Sequence, residues 1–198
     1  MELDAEAIKV LAHPLRSRLL SGLRTAGPAT ATELAQALGT NTGATSYHLR
    51  KLESVGLVSD TGDGHGKRRL WKAATDYHSW SNSAFRDDED TSTALGWLKR
   101  DYVRQFAERA ERWLDVVADW PDEWVDRLGL NDSLVIVTPE QMAELQCRLE
   151  EVVEEFRSVG QGDPRARRIS VYTHARPVDT VPPAVTAVRE GGEGDGPR

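Results

Sequence analysis

Apolar residues recur at intervals of three and four along the first third of the chain. They fall at Leu3, Ala7, Ile8, Val10 and Leu11, then at Leu15, Leu19, Leu20 and Leu23, then at Leu34, Ala35 and Leu38, then at Leu49 and Leu52. That period predicts four short amphipathic helices. Residues at the breaks agree with it. Pro14 suits the first turn of the second helix, and Gly27-Pro28 stops it. Thr30 or Thr32 is a suitable cap for the third, ELAQALG, which closes at Gly39. Asn41 is a suitable N-cap for a fourth helix running from Thr42 to about Val55 and ending at Gly56.

The period then shortens to two. LVSD reads as a strand, TGDGHGK as a turn-rich loop and RRLWKAA as a returning strand. Further on, Leu95, Leu98, Tyr102, Phe106, Ala110, Trp113 and Val117 predict one long helix from about Thr93 to Asp119. SLVIVT and RRISVYTHA read as two strands flanking a helix that begins with the capping box Thr138-Pro139-Glu140-Gln141 and carries Met142, Leu145, Leu149, Val152, Val153 and Phe156 on one face. Strand, helix, strand implies a right-handed crossover and parallel strands. From Pro177 the chain turns rich in Pro, Gly and Glu and is expected to be disordered.

The fourth helix holds the candidate chemistry. Thr45, His48, Leu49 and Leu52 share its inward side, which leaves Thr42, Gly43, Ser46, Tyr47 and Arg50 facing outward. A merely solvated face usually carries Glu, Lys and Gln, the strong helix formers. This one is small at its start and ends in an aromatic donor and a cation, as a face that approaches a surface closely would be. Lys67, Arg68 and Arg69 add three successive cations at the hairpin. Helix, helix, turn, helix and basic hairpin make a winged helix-turn-helix.

The segment VLAHPLRSRLLSGLRTAGPATATELAQALGTNTGATSYHLRKLESVGLV resembles the DNA-binding core of ArsR-type bacterial transcription regulators, most specifically at LAHPLRSRLL and SYHLRKLESVGLV. The likeness covers roughly residues 5 to 75. It implies a recognition helix at Thr42 to Val55, a base-facing side at Thr42, Gly43, Ser46 and Tyr47, and a wing at Thr61 to Arg69. Repression by blocking a promoter is the family expectation. The metal-sensing members carry cysteines on the third helix, and TELAQAL has none. His13, His48, His65, His78 and His174 include no pair at helical ligand spacing, so no metal site is expected.

Charge sharpens this reading. The net of -7 argues against nucleic acid only when averaged. Residues 1–75 hold 10 Lys/Arg against 7 Asp/Glu, a net of +3, and residues 76–198 hold 15 against 25, a net of -10. A DNA-facing module joined to an acidic one fits that split. The lone Cys147 excludes an intrachain disulfide, and its helical setting suggests a small buried filler. His48 is expected in the core and His65 exposed in the wing. Trp97, Trp113, Trp120, Trp124, Tyr102, Phe106 and Tyr172 are expected as core, with an apolar effector pocket as the alternative. Glu150, Glu151, Glu154 and Glu155 read as a solvated helix face. No catalytic motif, phosphate loop or dinucleotide fingerprint is present, nor a signal peptide or apolar run of membrane-spanning length.

The resulting expectation is a mainly α protein with a small β component, of the α+β class. Residues 1–75 would form the winged helix-turn-helix, 76–130 a dimerisation region with the long helix, 131–176 a β-α-β unit and 177–198 a disordered tail. The expected function is that of a cytoplasmic, non-enzymatic, homodimeric regulator of double-stranded DNA. It would contact DNA through Thr42, Gly43, Ser46, Tyr47, Arg50, Lys67, Arg68 and Arg69. It would carry no cofactor, with room for an unidentified small-molecule effector. The alternative is a winged helix that binds protein instead of duplex.

Overall fold

The computed structural model describes residues 1–64, 68–179 and 181. Four helices open the chain: α1 (Ala5–Leu11), α2 (Pro14–Ala26), α3 (Ala31–Ala37) and α4 (Thr42–Glu53). Each start is capped by the side chain before it. Asp4 accepts from the Ala7 amide, His13 Nδ1 from the Leu15 amide, and Asn41 Oδ1 from the Ala44 amide. Thr30 and Glu33 form a reciprocal capping box on α3. At the far end of α4, Gly56 adopts φ +71°. Its amide reaches the Glu53 carbonyl at 2.9 Å, and the Leu57 amide reaches the Leu52 carbonyl at 3.0 Å. That is a Schellman closure, and it turns the chain directly into the sheet.

The sheet has three antiparallel strands in the order β1-β3-β2, with β1 at Ala29–Thr30, β2 at Val58–Asp60 and β3 at Leu70–Ala73. The register pairs Ala29 with Trp71 on one side and Asp60 with Trp71 on the other. The two hairpin strands match the sequence reading. β1 was not expected, because two residues carry no readable alternation. The side chains of Leu3, Ile8, Leu11, Leu19, Leu20, Leu23, Leu34, Leu49, Leu52, Leu57, Val58 and Trp71 form one core.

Helix α5 (Glu89–Val116) closes that core with Leu95 and Leu98. Asp88 caps it and also meets Lys9 of α1 at 3.3 Å. Thr91 donates to Asp88 from its amide and its hydroxyl, which lowers the Asp88 carboxyl to a pKa of about 2. At about 1.5 Å per residue, its 28 residues span roughly 42 Å. The buried positions Thr91, Leu95, Leu98, Asp101 and Gln105 all lie in its first seventeen residues.

After a 3-10 turn come α6 (Asp122–Val125) and α7 (Pro139–Glu155), the latter with the expected capping box at Thr138 and Gln141. The mainly α class with a small sheet therefore holds. The β-α-β expectation does not hold in its strands: neither SLVIVT nor RRISVYTHA is a strand, and only the helix between them forms. A strand exists by pairing its amides and carbonyls with a neighbour, and alternation in the sequence does not supply that neighbour. Residues 169–198 form a separate unit whose described part holds no helix or strand. Most of the tail expected to be disordered lies outside the described residues.

Candidate nucleic-acid interface

The 3.6-residue period of α4 sorts its side chains onto two faces. Thr45, Leu49 and Leu52 are buried, and the Thr45 hydroxyl returns to the Asn41 carbonyl at 3.1 Å. Thr42, Gly43, Tyr47 and Arg50 are exposed, and Ser46 is half-buried. Tyr47 stands 51% exposed. No hydrogen bond or ion pair engages the side chain of Arg50 or Lys51 among the described residues. The face is thus small at its N-terminal end and unneutralised at its C-terminal end. Five of the eight residues singled out in the sequence come together on it.

His48 is half-buried on the flank of this face. Its ring stacks on His13 with centroids 4.5 Å apart and meets Tyr47 edge-on at 5.1 Å. Burial, followed by the other's charge and Arg16, lowers the His48 pKa. Burial and Arg16 likewise lower that of His13. Both rings are therefore neutral near neutral pH, which suits the Nδ1 acceptor role of His13 as the α2 cap. The inward placement expected for His48 holds in part. Its contact with His13, 35 positions earlier, was not legible.

The wing is more uneven. The Thr61 amide donates to the Leu70 carbonyl at 2.8 Å, and Gly62 turns the loop at φ +82°. Lys67 and His65 lie outside the described residues. Arg68 is exposed. Arg69 instead spans two carboxylates, Glu53 at 3.4 Å and Asp60 at 3.5 Å, and its guanidinium lies 5.5 Å from the Trp71 ring centroid. It braces the end of α4 against the base of the wing, so much of its charge is already answered.

Residues 11–61 also match a protein-family model described as a helix-turn-helix domain. This stretch of the chain is a helix-turn-helix domain. The matched residues run from the end of α1 through α2, β1, α3 and α4 to the residue after β2. They stop short of β3 and of everything beyond it. Comparison with curated proteins finds no match to this chain. In a helix-turn-helix domain the second helix of the motif enters the major groove. Here that helix is α4, whose exposed face is the one described above.

Below this domain, α2 and α5 are joined by a polar seam that sequence reasoning missed. The Ser17 hydroxyl and the Gln105 amide donate to Asp101 Oδ2 at 2.7 Å and 2.6 Å, and Arg109 donates to Ser21 and Gln105. Asp101 and Gln105 sit in the same stripe as Leu95 and Leu98, and a charge in an otherwise apolar stripe was the available signal. A second junction joins the end of the wing to α5. The Tyr102 hydroxyl and His78 Nε2 lie 2.7 Å apart, with Trp80 beside them. Burial and the nearby Arg24 hold His78 down to a pKa of about 3, and burial pushes the Tyr102 phenol well up.

Two expectations about the C-terminal half change. Cys147 is exposed rather than a buried filler, since α7 buries none of its residues. Its Sγ lies 3.6 Å from Glu151, and that carboxylate raises the thiol pKa. Of the aromatics, Trp97 and Tyr102 pack on the core, as expected. Trp113, Trp120 and Trp124 instead stack on one another edge-to-face, at 5.2 Å and 6.2 Å. Tyr172 is exposed and not core, since its segment forms no sheet that would cover it. Phe156 and Leu149 of α7 are exposed as well, 70% and 43%. Among the described residues no cluster of three or more His, Cys, Asp or Glu is placed to hold a metal ion. Nor is any helix there long and apolar enough to cross a membrane.

Proposed function

We propose that the protein is a sequence-specific transcription regulator of the ArsR type, which inserts α4 into the major groove. The observation that carries this is the exposed α4 face, where Gly43 permits close approach, Tyr47 is exposed and the Arg50 side chain has no hydrogen-bond or ion-pair partner among the described residues. The Thr42 methyl suits thymine, and the Ser46 and Tyr47 hydroxyls suit base edges or phosphates. Arg50, one turn further on, suits a phosphate, as do Lys67 and Arg68 on the wing. Arg69 acts mainly by holding the wing at its angle to α4.

The working form is a homodimer. Beyond Gln105 α5 buries no residue, and it exposes Val103, Leu114 and Val116, which favours docking against a second copy. Two α4 helices would then occupy successive major grooves about 34 Å apart on a pseudo-palindromic operator. Repression follows if that operator overlaps a promoter. No catalytic role is proposed.

Selection of bound fragments from genomic DNA tests this. Wild type is expected to recover a short inverted repeat that a Tyr47→Ala/Arg50→Ala variant does not. Recovery of the same fragments by both would remove α4 as the reading surface. No recovery by either would favour a winged helix that binds protein.

A further inference from the structure

Beside the recognition face lies an open hollow of about 500 Å³, lined by Ala5, Glu6, Lys9, Val10, Arg16 and Lys51. Three of its six lining residues are cations and one is an acid. The hollow is formed where α1, the first turn of α2 and the last turn of α4 meet. None of these three cations belongs to the face read from the helical period.

The cations are not equivalent. Lys9 is answered by Asp88 at 3.3 Å. Arg16 is fixed by donation from its Nε to the Val10 carbonyl, and is partly buried, which lowers its pKa. A guanidinium remains charged at any physiological pH. Yet no carboxylate pairs with Arg16 or Lys51 among the described residues, although Glu6 lines the same hollow. Arg16 is half-buried and Lys51 exposed; neither charge is neutralised by a carboxylate of the described residues, and both can meet an anion that enters the hollow.

Position decides which anion. Lys51 follows Tyr47 by four residues, so the two are neighbours on one strip of α4. Arg16 lies close enough to Tyr47 for the two to interact electrostatically. His48 is in ring contact with His13 and Tyr47, and burial lowers the pKa of both imidazoles, so the positive charge here is that of Lys9, Arg16 and Lys51. An anion bound here would lie beside whatever Tyr47 touches.

We propose that Arg16 and Lys51, with Lys9 at the rim, form a phosphate site on the α1–α2 flank of the recognition helix. The oxyanion is a backbone phosphodiester of the bound duplex or a free phosphate. The first source rests on the DNA-binding reading above, and the second does not. With the duplex as source, the site holds the backbone beside the contact of Tyr47 and sets how α4 enters the groove, while reading no base itself.

The test measures affinity for the selected duplex against salt for wild type, Lys51→Gln, and Lys99→Gln as a charge-matched control. Lys99 is exposed on α5. Each phosphate contact contributes about 0.9 to the slope of log K against log salt. Lys51→Gln is expected to lower that slope by about one and Lys99→Gln to leave it unchanged. In parallel, the ³¹P signal of inorganic phosphate is followed as each protein is added. A lowered slope for Lys51→Gln alone supports the backbone source. An unchanged slope with a phosphate response lost only in Lys51→Gln supports the free anion. A wild type that binds no duplex but perturbs phosphate through Lys51 would sink the DNA-binding reading and leave the site standing. An unchanged slope with no phosphate response at Lys51 overturns the proposal.

Discussion

Removing the Ser17 hydroxyl should cost far more than its size suggests. Ser17 is 1% exposed and Asp101 5%. In Ser17→Ala the carboxylate stays in place and loses the donor at 2.7 Å, keeping the Gln105 amide at 2.6 Å and Arg104 at 3.5 Å. A hydrogen bond to a charged group contributes about 1.5–3 kcal/mol, and a buried acceptor left short of donors loses most of that. A loss of about 2 kcal/mol corresponds to a drop of roughly 4–8 °C in Tm for a chain of this size. Guanidinium denaturation followed by tryptophan fluorescence reads it, since Trp71 and Trp97 pack in or against the core. The decisive comparison is the cycle Ser17→Ala, Asp101→Ala and the double variant, where a coupling of about 1.5–3 kcal/mol is expected. Additivity within about 0.5 kcal/mol would refute the seam as the tie between α2 and α5. A functional consequence follows. If α5 positions the second copy, loosening the seam should weaken binding to the full inverted repeat more than to one half-site.

Further expectations concern single groups. Folded His78 takes a proton only near pH 3, whereas the unfolded chain takes one near 6.5, so unfolding binds a proton in between. Stability should fall by about 1.4 kcal/mol per unit as pH drops through that window, and His78→Gln should flatten the acid limb of a Tm-against-pH curve. Gly56→Ala forces a side chain into φ +71° and should cost about 1–2 kcal/mol. Wild-type stability in that variant would mean the α4 closure is not Schellman. Cys147 should react with a maleimide in the native protein, and Glu151→Gln should speed the reaction by removing the charge that raises the thiol pKa. Labelling only after denaturation would place the thiol inside.

Much of the N-terminal half was legible because its determinants are local. The caps Asn41 and Thr30, the stop at Gly56 and the inward stripe of Thr45, Leu49 and Leu52 each depend on residues within one or two turns. Helical period, hydrogen-bond reach and backbone conformation are short-range, so the outward face of α4 is legible in the sequence alone. Tertiary structure decided what depends on distant partners. The pairing of β1 with β3 joins residues 42 positions apart in the chain. Ser17 meets Asp101 across 84 positions. Arg69 was read as a free cation, and two carboxylates brought in by α4 and β2 make it a brace. The strands expected around α7 show the opposite case, a local pattern that folding left without the neighbour it requires. The hollow at Arg16 and Lys51 arises only where three helix surfaces converge, since a helical period ranks the faces of one element and carries no information about which other faces will meet it.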